Sequence, residues 1–511
     1  MLKTPWAHLQ QPVPASDWWN LGLLFVGILL FIVIAEFIRK TLRWPQEHTR
    51  KLVHIAVGLL MFFAPMLLHS AVPLVAMSIF FTISNYVGMK KGWFKGMESD
   101  RPSLGTTLYP LAFLILLLFF WEHDKFIIIT AMMILALGDA IAAFVGESVS
   151  HPHRYRLIDE PKSLEGSAAM FISSALIVLG MLLWGPFRSA YPPVDLASAV
   201  TYAVLVGLVA TAAEALSFRG SDNITVPLFS AIILRDLVTH TPQDNAQLII
   251  GTILALLVAY GAYKAKALNP SGMVATFLVG TIIFGFGGWK WAVPILTFFV
   301  LSSFLSKVGS HIKQRFDLVF EKTSQRDYGQ VIANGGVATA LMLWFKFTGN
   351  PNTYAFYLAA LAAATADTWA TEIGVFSPFK PRAIHTFKPV EPGTSGGVTL
   401  LGLSGSFMGA AILTVSGLPF VASGTIITFP WVLTIIVAGF LSSIVDSLLG
   451  ATVQIQYQCP VCHKITEKTV HCNGTSTTPV RGHRWINNDM VNFLSTVSAI
   501  IFAGIGFALI R

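Results

Sequence analysis

The sequence predicts an all-α, polytopic transmembrane protein with about sixteen spanning helices. Of its 511 residues, 54% are apolar and only 12% are charged, and the mean hydropathy is +0.66. So few charges could not cover the surface of a soluble protein of this size. Apolar runs of membrane-spanning length also recur from one end of the chain to the other. Most of the surface is therefore expected to face lipid.

The predicted spans divide into about nine in the N-terminal half and about seven in the C-terminal half. The first apolar run ends in basic residues without a small-residue cleavage site, so we interpret it as a retained span. The span 224–240 is unusual because it carries Arg235 and Asp236. The full set covers residues 20–38, 51–69, 71–88, 106–121, 125–146, 165–184, 196–216, 224–240, 245–263, 270–287, 290–306, 329–347, 355–376, 396–417, 427–452 and 491–510.

Basic residues concentrate in alternate loops. If the loop after the first span is cytoplasmic, alternation places most of the 34 Lys and Arg residues on that side. This asymmetry is the positive-inside pattern of membrane proteins. It predicts a multi-pass protein of the bacterial inner membrane, with both termini external and the active sites facing the cytoplasm. The net charge of +8 is thereby explained by topology, without a nucleic-acid partner.

A basic, polar segment from Tyr260 to Pro270 (YGAYKAKALNP) separates two apolar blocks. It predicts a boundary between a domain of residues 1–263 and a domain of residues 268–511. Each half has a carboxylate-bearing helix followed by a loop rich in Lys, Glu and Gly: GDAIAAFVGE with PKSLEG, and ADTWATEIG with FKPVEPGTSGG. A diverged repeat and a chance similarity between two Gly-rich loops both remain open.

Carboxylates within apolar helices are the strongest functional signal. An aspartate facing lipid costs about 2.5–3.5 kcal/mol, so such residues need protein or metal partners. Asp139 and Glu147 lie close to one helical face and could bind one cation. Mg²⁺ suits this position because it is usually held by one or two carboxylates plus substrate phosphates. Polar pairing between helices is the alternative. The residues concerned are Asp139, Glu214, Asp367, Glu372 and Asp446.

The segment Lys162-Ser163-Leu164-Glu165-Gly166 is predicted to lead into a helix, whose first N–H groups attract anions. Lys162 would add a charge, Ser163 a hydroxyl and Gly166 close backbone approach to a nucleotide phosphate. The alternative is a capped helix with an interfacial lysine.

These features belong to an ordered series over residues 45–240. The series is Arg50-Lys51-x-x-His54, Arg101-Pro102-x-x-Gly105-Thr106, Gly138-Asp139, Lys162-Ser163-x-Glu165-Gly166, Glu214, and Asp222-Asn223-x-Thr225-x-Pro227. It resembles the phytol kinase and dolichol kinase family of polyprenol kinases, which is related to CDP-diacylglycerol synthases. The resemblance implies phosphoryl transfer, typically from CTP with Mg²⁺, to the hydroxyl of a long isoprenoid alcohol. Phosphoryl transfer depends on positioning and charge neutralisation, so the candidate catalytic residues are Asp139 and Lys162, and the candidate magnesium ligands are Asp139 and Asp222. The candidate phosphate-binding residues are Arg50, Lys51, Ser163, Glu165 and Gly166.

A second series begins near residue 268. It comprises Asn269-Pro270-Ser271-Gly272, Ser302-Ser303, Arg326-Asp327-x-x-Gln330, Asp367-Thr368-Trp369-Ala370-Thr371-Glu372, Gly393-Thr394-x-Gly396-Gly397, Asp446-Ser447 and Asn487-Asn488-Asp489. It is similar to the membrane family that contains phytyl-phosphate kinase, which implies addition of a second phosphoryl group to a prenyl monophosphate.

For this second reaction, the candidate catalytic residues are Asp367, Glu372 and Asp446. Asp367, Asp446 and Asp489 are candidate magnesium ligands. Backbone N–H groups of a Gly-rich loop can bind phosphate. Structural glycines between close-packed helices are the alternative. The candidate phosphate-binding residues are Lys388, Gly393, Thr394, Gly396, Gly397 and Asn488.

All three cysteines of the chain lie in the predicted cytoplasmic loop 453–490. Cys459 and Cys462 form the Cys-x-x-Cys pair with which zinc knuckles begin, and a cytoplasmic position disfavours a disulfide. With Cys472, one histidine would complete a structural Zn²⁺ site, either His471 or His483, and our predicted site includes His471. We expect the zinc to position Asn487, Asn488 and Asp489 beside Asp446. The alternative is a reduced loop without metal.

Together these features predict a bifunctional isoprenoid salvage enzyme. The first half would convert a prenol, phytol or geranylgeraniol, to its monophosphate, and the second half would convert the monophosphate to the diphosphate. The expected partners are the isoprenoid alcohol and prenyl monophosphate in the membrane and a nucleoside triphosphate, with no nucleic acid. Two alternatives remain: a cytidylyltransferase that makes a CDP-lipid, and a transporter or flippase for prenyl phosphates.

Overall fold

The computed structural model describes residues 7–43, 46–92, 103–122, 124–308, 325–421, 428–472 and 474–510. The chain divides into two compact units, Met1–Ala246 and Gln247–Arg511. Residues 247–263, predicted to belong to the first domain, lie in the second unit.

The first unit consists of long helices joined by short loops. A short π-helix, Ile134–Gly138, joins its fifth and sixth helices, so that Lys125–Ser148 is one continuous helical run. The helices are α1 Ala15–Leu42, α2 Gln46–Leu67, α3 Val72–Lys91, α4 Gly105–Phe120, α5 Lys125–Met133, α6 Asp139–Ser148, α7 Leu164–Trp184, α8 Leu196–Ala215 and α9 Asp222–Thr239.

The second unit repeats this helical character. The run Pro270–Lys307 breaks at Gly288, which has φ 59° and ψ −159°. A straight helix of this length would extend about 57 Å, nearly twice the hydrocarbon thickness of a bilayer, so the break allows two spans instead of one. The helices are α10 Ala246–Lys264, α11 (270–287), α12 (289–307), α13 Tyr328–Thr348, α14 Thr353–Gly374, α15 Leu400–Gly417, α16 Phe429–Thr452 and α17 Asn488–Leu509.

These helices confirm the polytopic α-helical class. Within the described ranges, eleven helices are long and apolar enough to cross a membrane, counting Lys125–Ser148 and Pro270–Lys307 once each. Lys51–Leu67 and Gly105–Phe120 are shorter apolar helices. Helices α9 and α14 are outside both sets, and both carry candidate site carboxylates. The count of sixteen spans therefore stays a prediction.

Among the residues that the structure describes, nine short strands lie in the loops, which the all-α prediction did not include. All of them pair antiparallel, in two two-stranded hairpins before α7 and α15 and in a larger group before α17. They are β1 Arg154–Arg156 with β2 Pro161–Ser163, β3 Arg382–Ala383 with β4 Gly397–Val398, β5 Gln456–Gln458 between β6 Ile465–Thr466 and β9 Thr478–Arg481, and β7 Val470–His471 with β8 Thr475–Ser476.

Each unit is built around one central helix. In the first unit this is α5 with α6, where Ile127, Ile128 and Ile129 are all fully buried. In the second unit it is α14, whose run Ala359 to Ala364, alanine except for Leu361, is buried on every side. Small side chains let neighbouring helices approach closely. The aspartates Asp139 and Asp367 both lie towards the C-terminal end of these central helices, so the fold itself places them inside a helix bundle.

Candidate active sites

Asp139 is the first residue of α6 and directly follows the π-helical turn of the central helix. Such turns displace side chains from the regular helical register and are frequent at functional sites. Gly138 lets this part of the helix contact α7, because a Cβ at that position would lie 3.1 Å from Ser174 Oγ and 3.3 Å from Met170 Sδ. Asp139 itself is half-buried. The central helix therefore holds this carboxylate at a fixed place beside α7.

Lys162 is the centre of a charged cluster in the first unit. Its Nζ donates hydrogen bonds to Glu214 Oε1, to the Glu214 carbonyl oxygen at 2.6 Å and to Ser217 Oγ at 2.7 Å. Burial alone would lower the pKa of Lys162, but the carboxylates of Glu214, Asp222 and Asp139 outweigh it and raise that pKa. We call Asp139, Glu214 and Asp222, with Lys162, the first carboxylate cluster.

The first carboxylate cluster carries more negative than positive charge. Asp139 and Asp222 interact with each other as like charges, and Glu160 interacts with Asp222 in the same way. Lys162 forms its ion pair with Glu214. Oxygen ligands of this kind suit a divalent cation such as Mg²⁺, which would complete its coordination with phosphate oxygens and water. Asp139 and Asp222 therefore fit the predicted metal site.

Lys162 reaches this cluster because it lies on the hairpin of β1 and β2. Tyr155 pairs with it across the hairpin and hydrogen-bonds to Ser167 Oγ through its own hydroxyl group. Ser163 caps α7, since its Oγ accepts the Gly166 N–H at 3.1 Å. The predicted capped helix is thus present, and this N–H group already has a partner within the protein.

Other predicted phosphate-binding residues make different contacts. Glu165 accepts a hydrogen bond from the backbone N–H of His153 and contacts its Nδ1 at 2.7 Å. Lys51 forms an ion pair with Glu147 at 2.7 Å. Glu147 is therefore engaged with Lys51, a different arrangement from the cation shared with Asp139 that the sequence suggested. The Arg50 side chain and the motif Arg101-Pro102 fall outside the described part of the chain.

The second unit brings Asp367 of α14 against Asp446 of α16. Their carboxyl groups interact directly, and Asp446 Oδ2 is fully buried. Glu467, which follows β6, also interacts electrostatically with Asp446. No lysine or arginine in the described ranges forms an ion pair with Asp367 or Asp446. These three acidic residues, the second carboxylate cluster, therefore also suit a divalent cation. Glu467 is not among the predicted site residues, because nothing in its local pattern links it to Asp446.

Glu372 lies one and a half turns beyond Asp367 on α14, outside this pair. Its Oε1 accepts a hydrogen bond from Ser306 Oγ of α12, and its charge interacts with Arg326. Glu372 thus interacts with an arginine that our predicted site did not include.

Arg326 lines an apolar cavity of about 60 Å³. Its guanidinium carbon lies 5.0 Å from the ring centre of Phe298 and 5.4 Å from that of Phe299. Burial lowers the pKa of Arg326 to about 10, which leaves it charged at neutral pH. The cavity is otherwise lined mainly by aliphatic and aromatic side chains of α10 to α13, with Gln330 and Asn334 beside the arginine. The motif Arg326-Asp327 was visible in the sequence, but the cavity was not.

The Gly-rich loop of the second unit lies on the end of α16. Gly396 has φ 76°, and a Cβ there would lie 2.5 Å from the Ser447 carbonyl oxygen and 2.4 Å from Ala451 Cβ. Its neighbours are arranged differently: Gly393 has φ 88° and Thr394 Oγ1 donates to the Glu391 carbonyl oxygen. Gly396 therefore needs to be glycine for both conformation and close approach.

The remaining predicted residues of the second unit lie at three places. Lys388 is exposed in the loop between β3 and β4, and Gly397 lies in β4. Asn488 and Asp489 are the first two residues of α17, where the preceding Asn487 accepts the Met490 N–H as the helix cap. Their phosphate and metal roles stay predictions.

The two units share a local arrangement. In each, a glycine follows the central aspartate by seven residues, a hairpin precedes the next helix, and a hydroxyl residue caps that helix. The cap accepts an N–H three residues later, at 3.1 Å in the first unit and 3.0 Å in the second. The equivalent pairs are Asp139 and Asp367, Gly146 and Gly374, Ser163 and Thr399, and Gly166 and Gly402.

The second glycine of each arrangement permits a close helix crossing. A Cβ on Gly166 would lie 3.0 Å from the Ala142 carbonyl oxygen, and a Cβ on Gly402 would lie 2.8 Å from that of Ala370. The residue before the cap is Lys162 in the first unit and Val398 in the second. Val398 therefore takes the position of Lys162 in the second unit, and Lys388 lies elsewhere, in the loop between β3 and β4.

Comparison with known proteins agrees with this description. The model of an integral membrane protein family, DUF92, matches residues 253–500. Protein PGR of Arabidopsis thaliana is 35% identical over 271 residues, which cover 49% of this chain and 92% of that protein. The chain belongs to the DUF92 integral membrane family.

Further relatives have more informative names. A protein named phytol kinase from Synechocystis sp. is 29% identical over 241 residues, covering 43% of this chain and 93% of that protein. Protein VTE6, chloroplastic, of Arabidopsis thaliana is 23% identical over 251 residues, covering 47% of this chain and 66% of that protein. No solved structure shows significant similarity. The DUF92 match contains the whole second carboxylate cluster, whereas the first cluster lies before it.

Proposed function

We propose that this DUF92 protein is a bifunctional prenol kinase, in which each unit carries out one phosphorylation. The first unit converts an isoprenoid alcohol, phytol or geranylgeraniol, to its monophosphate, and the second unit converts the monophosphate to the diphosphate. CTP is the proposed donor and Mg²⁺ the proposed metal. The observation that carries the proposal is the shared arrangement of the two units, because each sets two or more neighbouring carboxyl groups beside a capped helix crossing of the same kind.

The relatives support the chemistry. One of them is named phytol kinase, and its match covers nearly its whole length but less than half of this chain. A chain with two similar units therefore has room for two such reactions. The membrane setting suits a lipid alcohol as substrate, since its hydroxyl group lies at the surface where the charged clusters can meet it.

In the first reaction, the prenol oxygen forms a bond to the γ-phosphorus of the nucleotide, and the bond from that phosphorus to the β,γ-bridging oxygen breaks. The nucleoside diphosphate leaves, and the hydroxyl proton passes to solvent water. Asp139 and Asp222 would hold the metal, which when bound neutralises charge on the phosphate oxygens. Lys162 stays protonated because its carboxylate neighbours raise its pKa. It therefore places a positive charge where negative charge builds up on the transferred group.

In the second reaction, a phosphate oxygen of the prenyl monophosphate forms the new bond to the γ-phosphorus, and the nucleoside diphosphate leaves again. Asp367 and Asp446 would hold the metal. Arg326 would bind the monophosphate, since a guanidinium group forms paired hydrogen bonds with phosphate. The apolar cavity beside Arg326 would receive the first carbons of the isoprenoid chain.

Two sites in one chain also suit the intermediate. The monophosphate is an amphiphile that stays in the membrane, so a second site in the same molecule raises its effective concentration there. Fusion thus favours conversion to the diphosphate before the intermediate diffuses away.

The direct test is an assay of the purified full chain with labelled phytol or geranylgeraniol and CTP, ATP, GTP or UTP. Mass spectrometry should show the monophosphate followed by the diphosphate. Asp139→Asn should abolish only the first step, and Asp367→Asn should make the monophosphate accumulate. A CDP-lipid product would instead identify a cytidylyltransferase, and equal loss of both steps in both folded variants would contradict separate sites.

The proposed role of Arg326 is tested by the KM for prenyl monophosphate in a variant that lacks the guanidinium group. Arg326→Gln should raise the KM for prenyl monophosphate about 10- to 100-fold, because a charged hydrogen bond contributes about 1.5–3 kcal/mol. Lys264→Gln is the control, since it removes one positive charge from an exposed position of the same unit. An unchanged KM in Arg326→Gln would exclude the arginine from monophosphate binding.

A further inference from the structure

Four potential metal ligands converge in the loop between α16 and α17. The Sγ atoms of Cys459, Cys462 and Cys472 and a ring nitrogen of His471 all lie within 4.8 Å of one another. His471 Nδ1 is 3.4 Å from Cys462 Sγ and 3.2 Å from Cys472 Sγ. Ligands bound to one tetrahedral zinc, at about 2.3 Å for sulfur and about 2.0 Å for nitrogen, lie at similar separations from one another.

Two tight turns bring these ligands together from separate strands. Cys459 and Cys462 lie in the turn between β5 and β6, which is closed by the hydrogen bond from the His463 N–H to the Cys459 carbonyl oxygen at 2.9 Å. His471 ends β7, and Cys472 begins the turn to β8. The backbone thus presents two pairs of ligands towards one point, as in zinc ribbons.

The structure also decides between the two histidines that the sequence left open. His483 lies outside the cluster. Its backbone N–H donates to the Val453 carbonyl oxygen, and its backbone forms an isolated β-bridge with Gln454. Cys459 is fully buried and His471 nearly so, which protects the site from solvent. All three thiols are free.

We propose that Cys459, Cys462, His471 and Cys472 bind one zinc ion that has a structural role. Four protein ligands fill all tetrahedral positions and leave none for a substrate. Without the ion, the small strands of this loop have little apolar core to hold them in place, so metal binding would supply much of their folding free energy.

The zinc-bound loop reaches the second carboxylate cluster through Gln454. Its side chain accepts a hydrogen bond from Ser395 Oγ in the Gly-rich loop at 2.9 Å and donates to Glu467 at 2.8 Å. Glu467 in turn faces Asp446. Arg481 of β9 donates to the Gly450 carbonyl oxygen, close to the end of α16. The zinc ion would therefore hold Glu467 and the Gly-rich loop in position for the second phosphorylation.

Metal analysis of the full chain, purified without chelators, is the direct test. We expect one zinc per chain in the wild type. His471→Asn should lose most of this zinc, whereas His463→Asn, a neighbouring exposed histidine outside the cluster, should retain it. Asn suits the control because residue 463 has φ 59°, a conformation that Asn tolerates. Equal zinc contents in the two variants, or none in the wild type, would overturn the proposal.

Two further measurements complete the test, and the first of them does not depend on the proposed kinase function. Growth in cobalt medium should give the visible absorption of tetrahedral cobalt bound to thiolates in wild type, and Cys472→Ser should change that spectrum even where some metal remains. The role in positioning rests on the proposed function. If His471→Asn lost zinc but kept the second phosphorylation at the wild-type rate, the site would be a metal site without influence on the second carboxylate cluster.

Discussion

Removal of the Lys162 ammonium group is expected to destabilise the first unit strongly. The side chains of Lys162 and Glu214 are only 13% and 11% exposed, so the pair is largely shielded from water. Breaking such a pair from one side leaves an uncompensated buried charge, which costs about 3–5 kcal/mol. Lys162→Met keeps the length of the side chain and removes only its charge and hydrogen bonds. The decrease in the free energy of unfolding should therefore approach this range.

A double variant separates stability from chemistry. Lys162→Met with Glu214→Met removes both charges and should recover most of the lost stability, because an apolar pair of similar size can replace a buried ion pair. First-step activity should stay absent in both variants if Lys162 neutralises phosphate. Lys51→Met is the control: its partner Glu147 is 52% exposed, so its loss should cost less than about 1 kcal/mol.

The measurements are unfolding of detergent-solubilised protein and the first phosphorylation of labelled prenol. Because the carboxylates raise the pKa of Lys162 above its ordinary value of 10.5, the stabilisation is fully present below that pH and is lost only as pH rises through the folded-state pKa. Titration of Lys162 itself should thus add no pH dependence to the stability of the wild type across the neutral range. A loss no larger than that of Lys51→Met would refute the buried-pair argument, and recovery of activity in the double variant would refute the phosphate role.

Three other outcomes follow from the geometry. Gly166→Ala should cost about 1–3 kcal/mol, because its Cβ would lie 3.0 Å from the Ala142 carbonyl oxygen, whereas Gly180→Ala on the same helix has nothing within 4 Å and should be neutral in thermal unfolding. Gly396→Ala should slow the second phosphorylation and spare the first, because φ 76° and the contact with Ala451 both disfavour a side chain; equal rates in the assay would contradict this. A mild chelator that removes Mg²⁺ should stop both steps reversibly while elemental analysis still finds zinc; activity that persists would exclude the magnesium proposal.

Much of the candidate site was predictable as a set of residues but not as a set of contacts. Asp139 and Lys162 stood out because each is unusual in its local setting, a carboxylate in an apolar helix and a lysine beside a helix cap. Their relation to Glu214 could not be read in advance, because Lys162 and Glu214 are 52 residues apart. Periodicity says which face of a helix is apolar, and it does not say which distant residue that face will meet.

The sequence by itself determined the class of the fold and the places of its helices. Long apolar runs have to become helices in a membrane, since only a helix satisfies its own backbone hydrogen bonds there, and the caps at Ser163 and Asn487 follow from short local patterns. Tertiary structure alone decided the rest: the meeting of Asp367 with Asp446, the cavity beside Arg326, the approach of Glu467, and the position of His471, rather than His483, beside the three cysteines. These depend on how helices and loops pack together, and packing joins residues whose distance along the chain leaves no local trace.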